Sequence, residues 1–380
     1  MTTTPVKVPF VDLTLQQLPV QAQIEQAIQT VLQRGDFVLG QALAEFEAAF
    51  ASACGASSAV GVACGTDAIA LGLQAIGIRP GDEIILPANT FVATLIGVLR
   101  AGATPALVDC DPQTALIDLA AAEKAITPKT RAIVPVHLYG QMVSPQPLLD
   151  FAGTHNLLIF EDAAQAHLAF QDGYRAGSVG AAAAFSFYPS KNLGGFGDGG
   201  MVVTGDPDVA KKMRMLRNYG APQKYLHTEF GTNSRLDTIQ AAVLNVKLPH
   251  LAGWNKARNC AAQLYDTLLS HNESTVPIQN QSGAGHVYHL YVVRITDKSP
   301  VERNTIQEKL SHAGIQTGIH YPIPCHLQPA YRHLGYNIGD FPHAETLCEE
   351  ILSLPMYPGL SDAQIHQVVA EIQSILEFRV

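Results

Sequence analysis

Short apolar runs alternate with stretches of helical spacing along the first two thirds of the chain. The runs are 58–63 (SAVGVA), 82–88 (DEIILPA), 104–110 (TPALVDC), 131–140 (RAIVPVHLYG), 156–163 (NLLIFEDA), 182–188 (AAAFSFY) and 200–205 (GMVVTG). Between several of them, residues 67–76, 91–101 and 116–125 place apolar side chains at helical intervals and carry Gly or Pro at their ends. Strands that are apolar almost throughout, rather than at alternate positions, are covered on both faces. Their alternation with helices predicts a largely parallel sheet between helical layers, an α/β arrangement.

The rhythm changes around residues 249–254. A helix over 254–270 leads to a strand at 286–295, a helix at 305–313, a strand at 316–322 and a last helix. That last helix opens with Ser361 and carries Gln364 three residues on, the S-x-x-Q pattern of a capping box. The pattern therefore divides the chain into a large α/β domain over 1–250, with its N-terminal segment, and a smaller C-terminal α+β domain over 251–380. No internal repeat or low-complexity segment interrupts either part.

Composition supports a deep core. Hydrophobic residues make up 47% of the 380 positions and charged residues 15%. A net charge of −9, from 24 Lys+Arg against 33 Asp+Glu, argues against nucleic acid or an anionic membrane as a partner in bulk. The opening residues MTTTPVKVPFVDL lack the apolar centre of a signal peptide. The most apolar stretch, 84–99, is broken by Pro87, Asn89 and two threonines, so no membrane span is expected. The six cysteines at 54, 64, 110, 260, 325 and 348 form no C-x-x-C pair and read as reduced thiols, which points to the cytoplasm.

Ligands of open α/β sheets gather at the carboxyl ends of the strands, and four features fall there. Gly65-Thr66 lies between a strand and a helix, where backbone N–H groups and the helix dipole suit a phosphate; an ordinary turn capped by Thr66 or Asp67 fits equally. In IFEDAAQAH, Glu161, Asp162 and Gln165 follow an apolar strand, so at least one carboxylate faces the crevice. Asp162 is there to hold a heteroaromatic nitrogen, or it caps a helix. His137 and His167, at strand ends, are more often hydrogen-bonded structure than ligands. FSFYPSKNLGGFGDGG sets Lys191 after a strand that ends near Ser186 and before a glycine-crowded loop. Phe91 stacks on a planar ring or packs in the core.

Competing chemistries lack their signatures. The 14 histidines show no H-E-x-x-H spacing, so no metal is expected, and there is no G-x-S-x-G elbow. GGFGDGG follows a lysine instead of opening a helix after the first strand, so it is not a dinucleotide fingerprint. A lysine, an aspartate, a phosphate-capable turn and an aromatic ring are the four parts a pyridoxal 5′-phosphate site needs.

These residues carry a resemblance over nearly the whole chain. GTDAIALGLQAIGIRPGDEIILPANTFVAT, VHLYGQ, EDAAQAH, FSFYPSKNLGGFGDGG, GTNSRLDTIQAA, GIHYPIP and ILSLPMYP together resemble the DegT/DnrJ/StrS-type nucleotide-sugar aminotransferases. The resemblance implies the aspartate-aminotransferase-like (type I) fold and pyridoxal 5′-phosphate as cofactor. Lys191 would be the Schiff-base lysine, Asp162 the partner of the pyridine nitrogen and Gln165 that of the ring hydroxyl. Phe91 would stack on the ring, and Gly65, Thr66 and Ser186 would hold the phosphate. Asn233, in GTNSRLD, matches an asparagine that reaches the phosphate of a partner subunit, which implies a homodimer with shared sites.

The resemblance also implies a two-stage transfer of an amino group from L-glutamate to a keto nucleotide sugar. Related dehydratases carry histidine where this chain has Lys191, so transamination is the expected reaction. EDAAQAH, FYPSKN, KYLHTEFGTNSRLD and HVYHLYVVR are most similar to enzymes that aminate C3 of a dTDP-linked 3-keto-6-deoxyhexose; C4 amination is the alternative. Tyr188, His320 and Tyr321 are the candidate hexose contacts, Tyr188 having packing as its other reading. Lys224 is a candidate for the diphosphate or the pocket rim, or a solvated charge. Cys64 stands where a small residue, often Ser, precedes the turn, and Leu168 where Gly is common. A binding or regulatory protein on the same fold, without turnover, is the rival from another class.

Overall fold

The computed structural model describes residues 7–377. In chain order the first nine strands are β1 (Ser58–Val62), β2 (Glu83–Pro87), β3 (Thr104–Val108), β4 (Thr130–Ile133), β5 (Leu158–Asp162), β6 (Phe170–Gln171), β7 (Tyr174–Arg175), β8 (Ala182–Ser186) and β9 (Gly200–Thr204). β6 and β7 form a small separate hairpin. The other seven make one sheet in the order β1-β9-β8-β5-β4-β2-β3. Adjacent pairs from β8 to β3 are parallel, while β9 runs antiparallel to both β1 and β8.

The connections follow from the pairing. Parallel neighbours need a crossover, and the helix Val92–Arg100 supplies it between β2 and β3, while the helix Gly65–Ala75 carries the chain from edge strand β1 across the sheet to β2. β8 and β9 are antiparallel, so a loop without a helix joins them, and Lys191 sits in that loop. The chain steps from β2 outward to β3, then crosses to β4 and steps the other way to β5 and β8. That reversal opens a crevice at the carboxyl ends of the strands. Burial matches the apolar runs: all five residues of β9 are buried, as are the last four of β1, β2 and β5.

Three sequence expectations are shortened or replaced. The run 131–140 is a strand only to Ile133, because Pro135 removes a ladder donor. An isolated bridge from Val136 to Asp162 follows, and Leu138–Gly140 is a 3-10 turn with Tyr139 at φ 61°. The run 286–295 pairs only as β11 (Tyr291–Ile295), since Tyr288 at φ 40° turns the chain before it. Residues 316–322 form no strand; single bridges link Ile315 to Val8 and Gly318 to Ser353.

β11 pairs on one side with β10 (Thr275–Pro277) and on the other with β12 (Ile351–Leu354), both antiparallel. Helices Leu251–Leu269 and Asp362–Glu377 help bury a second apolar cluster with these strands, including Tyr265, Tyr291, Leu354 and Ile372. The capping box is in place: the Gln364 N–H donates to Ser361 Oγ, and the Ser361 N–H donates to Gln364 Oε1. Leu168 adopts φ 64°, the left-handed region that glycine occupies without strain, which accounts for the preference for glycine there. No described helix is long and apolar enough to cross a membrane, and no group of three or more His, Cys, Asp or Glu among the described residues is placed to hold a metal.

Candidate active site

A cavity of about 470 Å³ opens at the carboxyl ends of the central strands. Gly65, Thr66, Phe91, Asp162, Gln165, Ser186 and Lys191 all line it, and so do Tyr188, His320 and Tyr321. Asn233 and Lys224 do not: both are exposed elsewhere on the chain, Lys224 with its Nζ 5.1 Å from the centre of the Tyr225 ring.

Strand geometry separates the two adjacent carboxylates at the end of β5. Successive side chains point to opposite faces, so only one of Glu161 and Asp162 reaches the cavity. Asp162 does. Its Oδ2 accepts from Thr94 Oγ1 at 2.7 Å and its Oδ1 from the Ala164 N–H at 3.1 Å. Burial raises its pKa, and the Thr94 and Ala164 hydrogen bonds and the Lys191 charge oppose that rise. Glu161 faces the core, where Oε1 accepts from the N–H groups of Val179 and Gly180 and Oε2 from that of Gly177, each at 2.9 Å. His137 completes the set. The Val143 N–H donates to its Nδ1, so its Nε2 carries the proton given to Glu161 Oε2 at 2.9 Å. Glu161 and His137 are thus structural.

The Lys191 side chain makes no hydrogen bond or ion pair among the described residues. Burial lowers its pKa from 10.5 to about 8, with Asp162 pulling the other way. An amine so placed is partly unprotonated near neutrality and is a competent nucleophile and base. The loop behind it is tight: a Cβ on Gly194 would lie 2.2 Å from the Pro189 carbonyl oxygen, so this position excludes any side chain.

The helix Gly65–Ala75 aims its N-terminus into the cavity. Its N-cap residue, Cys64, makes no side-chain cap. Asp67 is engaged elsewhere, accepting from Arg100 and from Ser234 Oγ at 2.6 Å each, so neither capping alternative read from the sequence is realised. The first N–H groups of the helix are left for an anion. Ser186 stands against this turn: a Cβ on Gly65 would lie 2.8 Å from Ser186 Cβ. His167 is buried and donates Nε2–H to the Ser186 carbonyl at 2.8 Å; burial, with the Lys191 charge, lowers its pKa to about 3, so it stays neutral.

Phe91 is half exposed on the cavity wall, with its ring centre 5.2 Å from that of Tyr321, and is not a core residue. Tyr188 is 55% exposed at the same cavity, so it is not packed in the core of its own chain. Gln165 is held at both ends of its amide: Oε1 accepts from the Tyr139 N–H at 2.7 Å, and Nε2 donates to Tyr321 Oη at 3.1 Å. The second N–H of Nε2 remains available to a ligand oxygen. His320 lies beside Tyr321, with Nδ1 2.9 Å from Ser353 Oγ.

Sequence reasoning missed Thr94, Tyr139 and His289. Thr94 stands three residues after Phe91 on the helix following β2, a spacing that places it on the same face. Tyr139 acts through its backbone, and no side-chain pattern announces that. His289 lies within HVYHLYVVR, where the apolar run predicts only a strand.

Residues 19–373 match the model of the DegT/DnrJ/EryC1/StrS aminotransferase family. The chain belongs to that family. It is 44% identical over 371 residues to a dTDP-3-amino-3,4,6-trideoxy-alpha-D-glucose transaminase of Streptomyces venezuelae, covering 98% of this chain and 97% of that protein. It is 46% identical over 367 residues to the erythromycin biosynthesis sensory transduction protein EryC1 of Saccharopolyspora erythraea, covering 97% and 99% of the two chains. The crystal structure of S. venezuelae DesV in complex with a ketimine intermediate superposes with a TM-score of 0.95 at 44% identity, covering 99% of this chain and all of that one. This family member is therefore a pyridoxal phosphate-dependent sugar aminotransferase, and its fold is the mixed α/β fold of those enzymes. The residues present fit the cofactor: an uncapped helix N-terminus, a buried carboxylate that lacks a cation, and an unpaired amine share one cavity.

Proposed function

We propose that this aminotransferase moves the amino group of L-glutamate to C3 of a dTDP-linked 3-keto-6-deoxyhexose, giving a dTDP-3-amino-3,6-dideoxyhexose. The observation that carries the reading is the unpaired Lys191 amine in one cavity with Asp162 and the open helix N-terminus. The similarity to the S. venezuelae transaminase supports the choice of carbon and nucleotide. The name of the EryC1 relative evokes regulation; the reading as an enzyme rests on Lys191 sharing one cavity with Asp162 and the open helix N-terminus.

Lys191 would hold the cofactor covalently, Asp162 its ring nitrogen, Gln165 its ring hydroxyl, Phe91 its ring face, and Gly65, Thr66 and Ser186 its phosphate. When bound, pyridoxal phosphate supplies the electron sink that lets the C–H bond beside nitrogen ionise. Thr94 and the Ala164 N–H hold Asp162 in aim and favour its charged form. Lys191 Nζ would serve as the base that takes a proton from the carbon bearing the amine and, in the return half-reaction, as the acid that gives one to the former keto carbon. The same residues serve glutamate and then the keto sugar, a ping-pong order. Tyr188, His320 and Tyr321 are placed to meet the hexose.

We also read the active unit as a homodimer. Asn233 is exposed and does not line its own cavity, and exposed Tyr219, Tyr225 and Phe230 lie near it in sequence. By the family pattern Asn233 serves a partner's phosphate site; Lys224, from the same segment, is the candidate for the diphosphate or the pocket rim. Six unpaired cysteines fit a cytoplasmic setting. Incubation with glutamate and a panel of 3-keto and 4-keto nucleotide sugars, with NMR of the product, tests the function. An amine at C4 alone overturns the stated regiochemistry.

A further inference from the structure

Behind the cavity wall at His289 lies a buried chain of amides whose orientation is set at fixed points. Asn255 Nδ2 donates to the His167 carbonyl at 2.9 Å, which leaves Asn255 Oδ1 as an acceptor. Asn192 Nδ2 donates to that Oδ1 at 2.9 Å and to the Val287 carbonyl at 2.8 Å. Both Asn192 amide protons are then spent, so its Oδ1 is what faces His289 Nδ1, at 3.2 Å. An oxygen acceptor opposite Nδ1 requires the proton to sit on Nδ1.

The other ring nitrogen is thereby determined. His289 is buried, and burial with the nearby Lys191 and Arg258 charges holds its pKa well below the usual histidine value. The ring is neutral, and its Nε2 presents a lone pair. Nε2 has no partner among the described residues, it is not among the sealed unpaired atoms, and the residue lines the cavity. A ligand in this cavity therefore meets a lone acceptor.

We propose that His289 is a substrate-binding residue whose Nε2 accepts a hydrogen bond from a hydroxyl of the sugar, and that it takes no part in binding the amino donor. The inference rests on the nucleotide-sugar reading above. Carboxylates, phosphates and the keto oxygen carry no proton to give, and an acceptor facing them is repelled; the one N–H-bearing group of the amino donor, its amine, is committed to the reacting centre at Lys191. A hexose hydroxyl carries one. His289 thus discriminates between the two substrates that share the cavity by polarity, without charge.

The test uses the holoenzyme and the variants His289→Phe and His289→Gln. His289→Phe retains the visible absorbance of the bound cofactor and reacts with glutamate within twofold of the wild-type rate. Its KM for the keto nucleotide sugar rises about tenfold with kcat nearly unchanged. His289→Gln, which can offer an amide oxygen, recovers part of that loss. Nitrogen-15 NMR of the wild-type histidines, assigned by the variants, shows one neutral ring protonated on Nδ1 and bare on Nε2; this measurement stands even if His289→Phe fails to fold. A proton on Nε2, an equal loss toward glutamate, or an unchanged KM for the sugar overturns the inference alone. A wild-type enzyme that reacts with glutamate but with no nucleotide sugar overturns the functional reading and this inference with it.

Discussion

The ammonium of Lys247 donates to the carbonyl of Gly194 at 2.5 Å, three residues beyond Lys191. Lys247 is buried at the end of helix Thr238–Lys247, with its Nζ 5.3 Å from the centre of the Phe196 ring. Gln240, on the same helix, accepts from the Phe196 N–H at 2.7 Å. One helix therefore pins the glycine loop at two points, and the loop fixes the backbone that carries the reactive amine. Lys247→Met keeps the length and loses the donor. Stability should fall by about 1.5–3 kcal/mol, the range for a hydrogen bond to a charged group, and the cofactor should dissociate faster. Urea denaturation of the apoprotein and the rate of cofactor loss on dialysis check this; no change in either means the loop holds without the clamp.

Lys191 also sets a pH dependence. Its folded pKa of about 8 lies below the ordinary 10.5, so folding favours the uncharged amine. Only that form attacks an aldehyde. Uptake of pyridoxal phosphate by the apoprotein should quicken about tenfold per pH unit up to about pH 8 and level off above it. Stopped-flow absorbance between pH 6 and 9 shows the plateau, and Lys191→Ala should abolish the covalent spectrum. A midpoint near 10 would mean that burial does not tune this amine.

Thr94 favours the charged form of Asp162 through a 2.7 Å hydrogen bond, against the rise that burial causes. Thr94→Val preserves shape and removes the donor, so the Asp162 pKa moves further up and its hold on a ring cation weakens. The cofactor dissociation constant should rise about tenfold, the effect of losing one charged hydrogen bond. Absorbance titration measures it.

Gly65→Ala would press a methyl group against Ser186, whose Cβ lies 2.8 Å from the added atom. The phosphate end of the site should open by a few tenths of an ångström. Cofactor affinity should fall with a strain cost of about 1–3 kcal/mol, while circular dichroism stays that of the wild type. Unchanged affinity would show that the phosphate binds away from this turn.

Much of the site was legible because its parts are local. Lys191, Asp162, Ser186 and the Gly65 turn each announce themselves by residue type at the end of an apolar run. What stayed open was set by distant partners. Whether Asp67 caps its helix depends on Arg100 and Ser234, and whether Phe91 is core depends on Tyr321. The His289 proton depends on Asn192 and Asn255, which lie 97 and 34 positions away by residue number. Strand lengths failed where Pro135 and the φ of Tyr288 ended pairing that apolar composition alone would have continued.

The fully buried Glu161 carboxylate yields one more expectation. Four donors converge on it, from Gly177, Val179, Gly180 and His137, and a glutamine would turn its NH₂ against one or more of them. Glu161→Gln should therefore cost about 3–5 kcal/mol, read by thermal or chemical denaturation, whereas a loss below about 1 kcal/mol would make the cluster incidental.

Glu161 also guards the accuracy of its neighbour. A slip of β5 by one residue against β4 and β8 would exchange the faces of these two side chains. Asp162, one methylene shorter, would be driven into the core away from those four donors, and Glu161 would overreach into the ligand space. Such an error cannot persist as a sluggish enzyme, because it would strand a charge in the interior. Correct aim of the chemical carboxylate is thus proofread by folding itself.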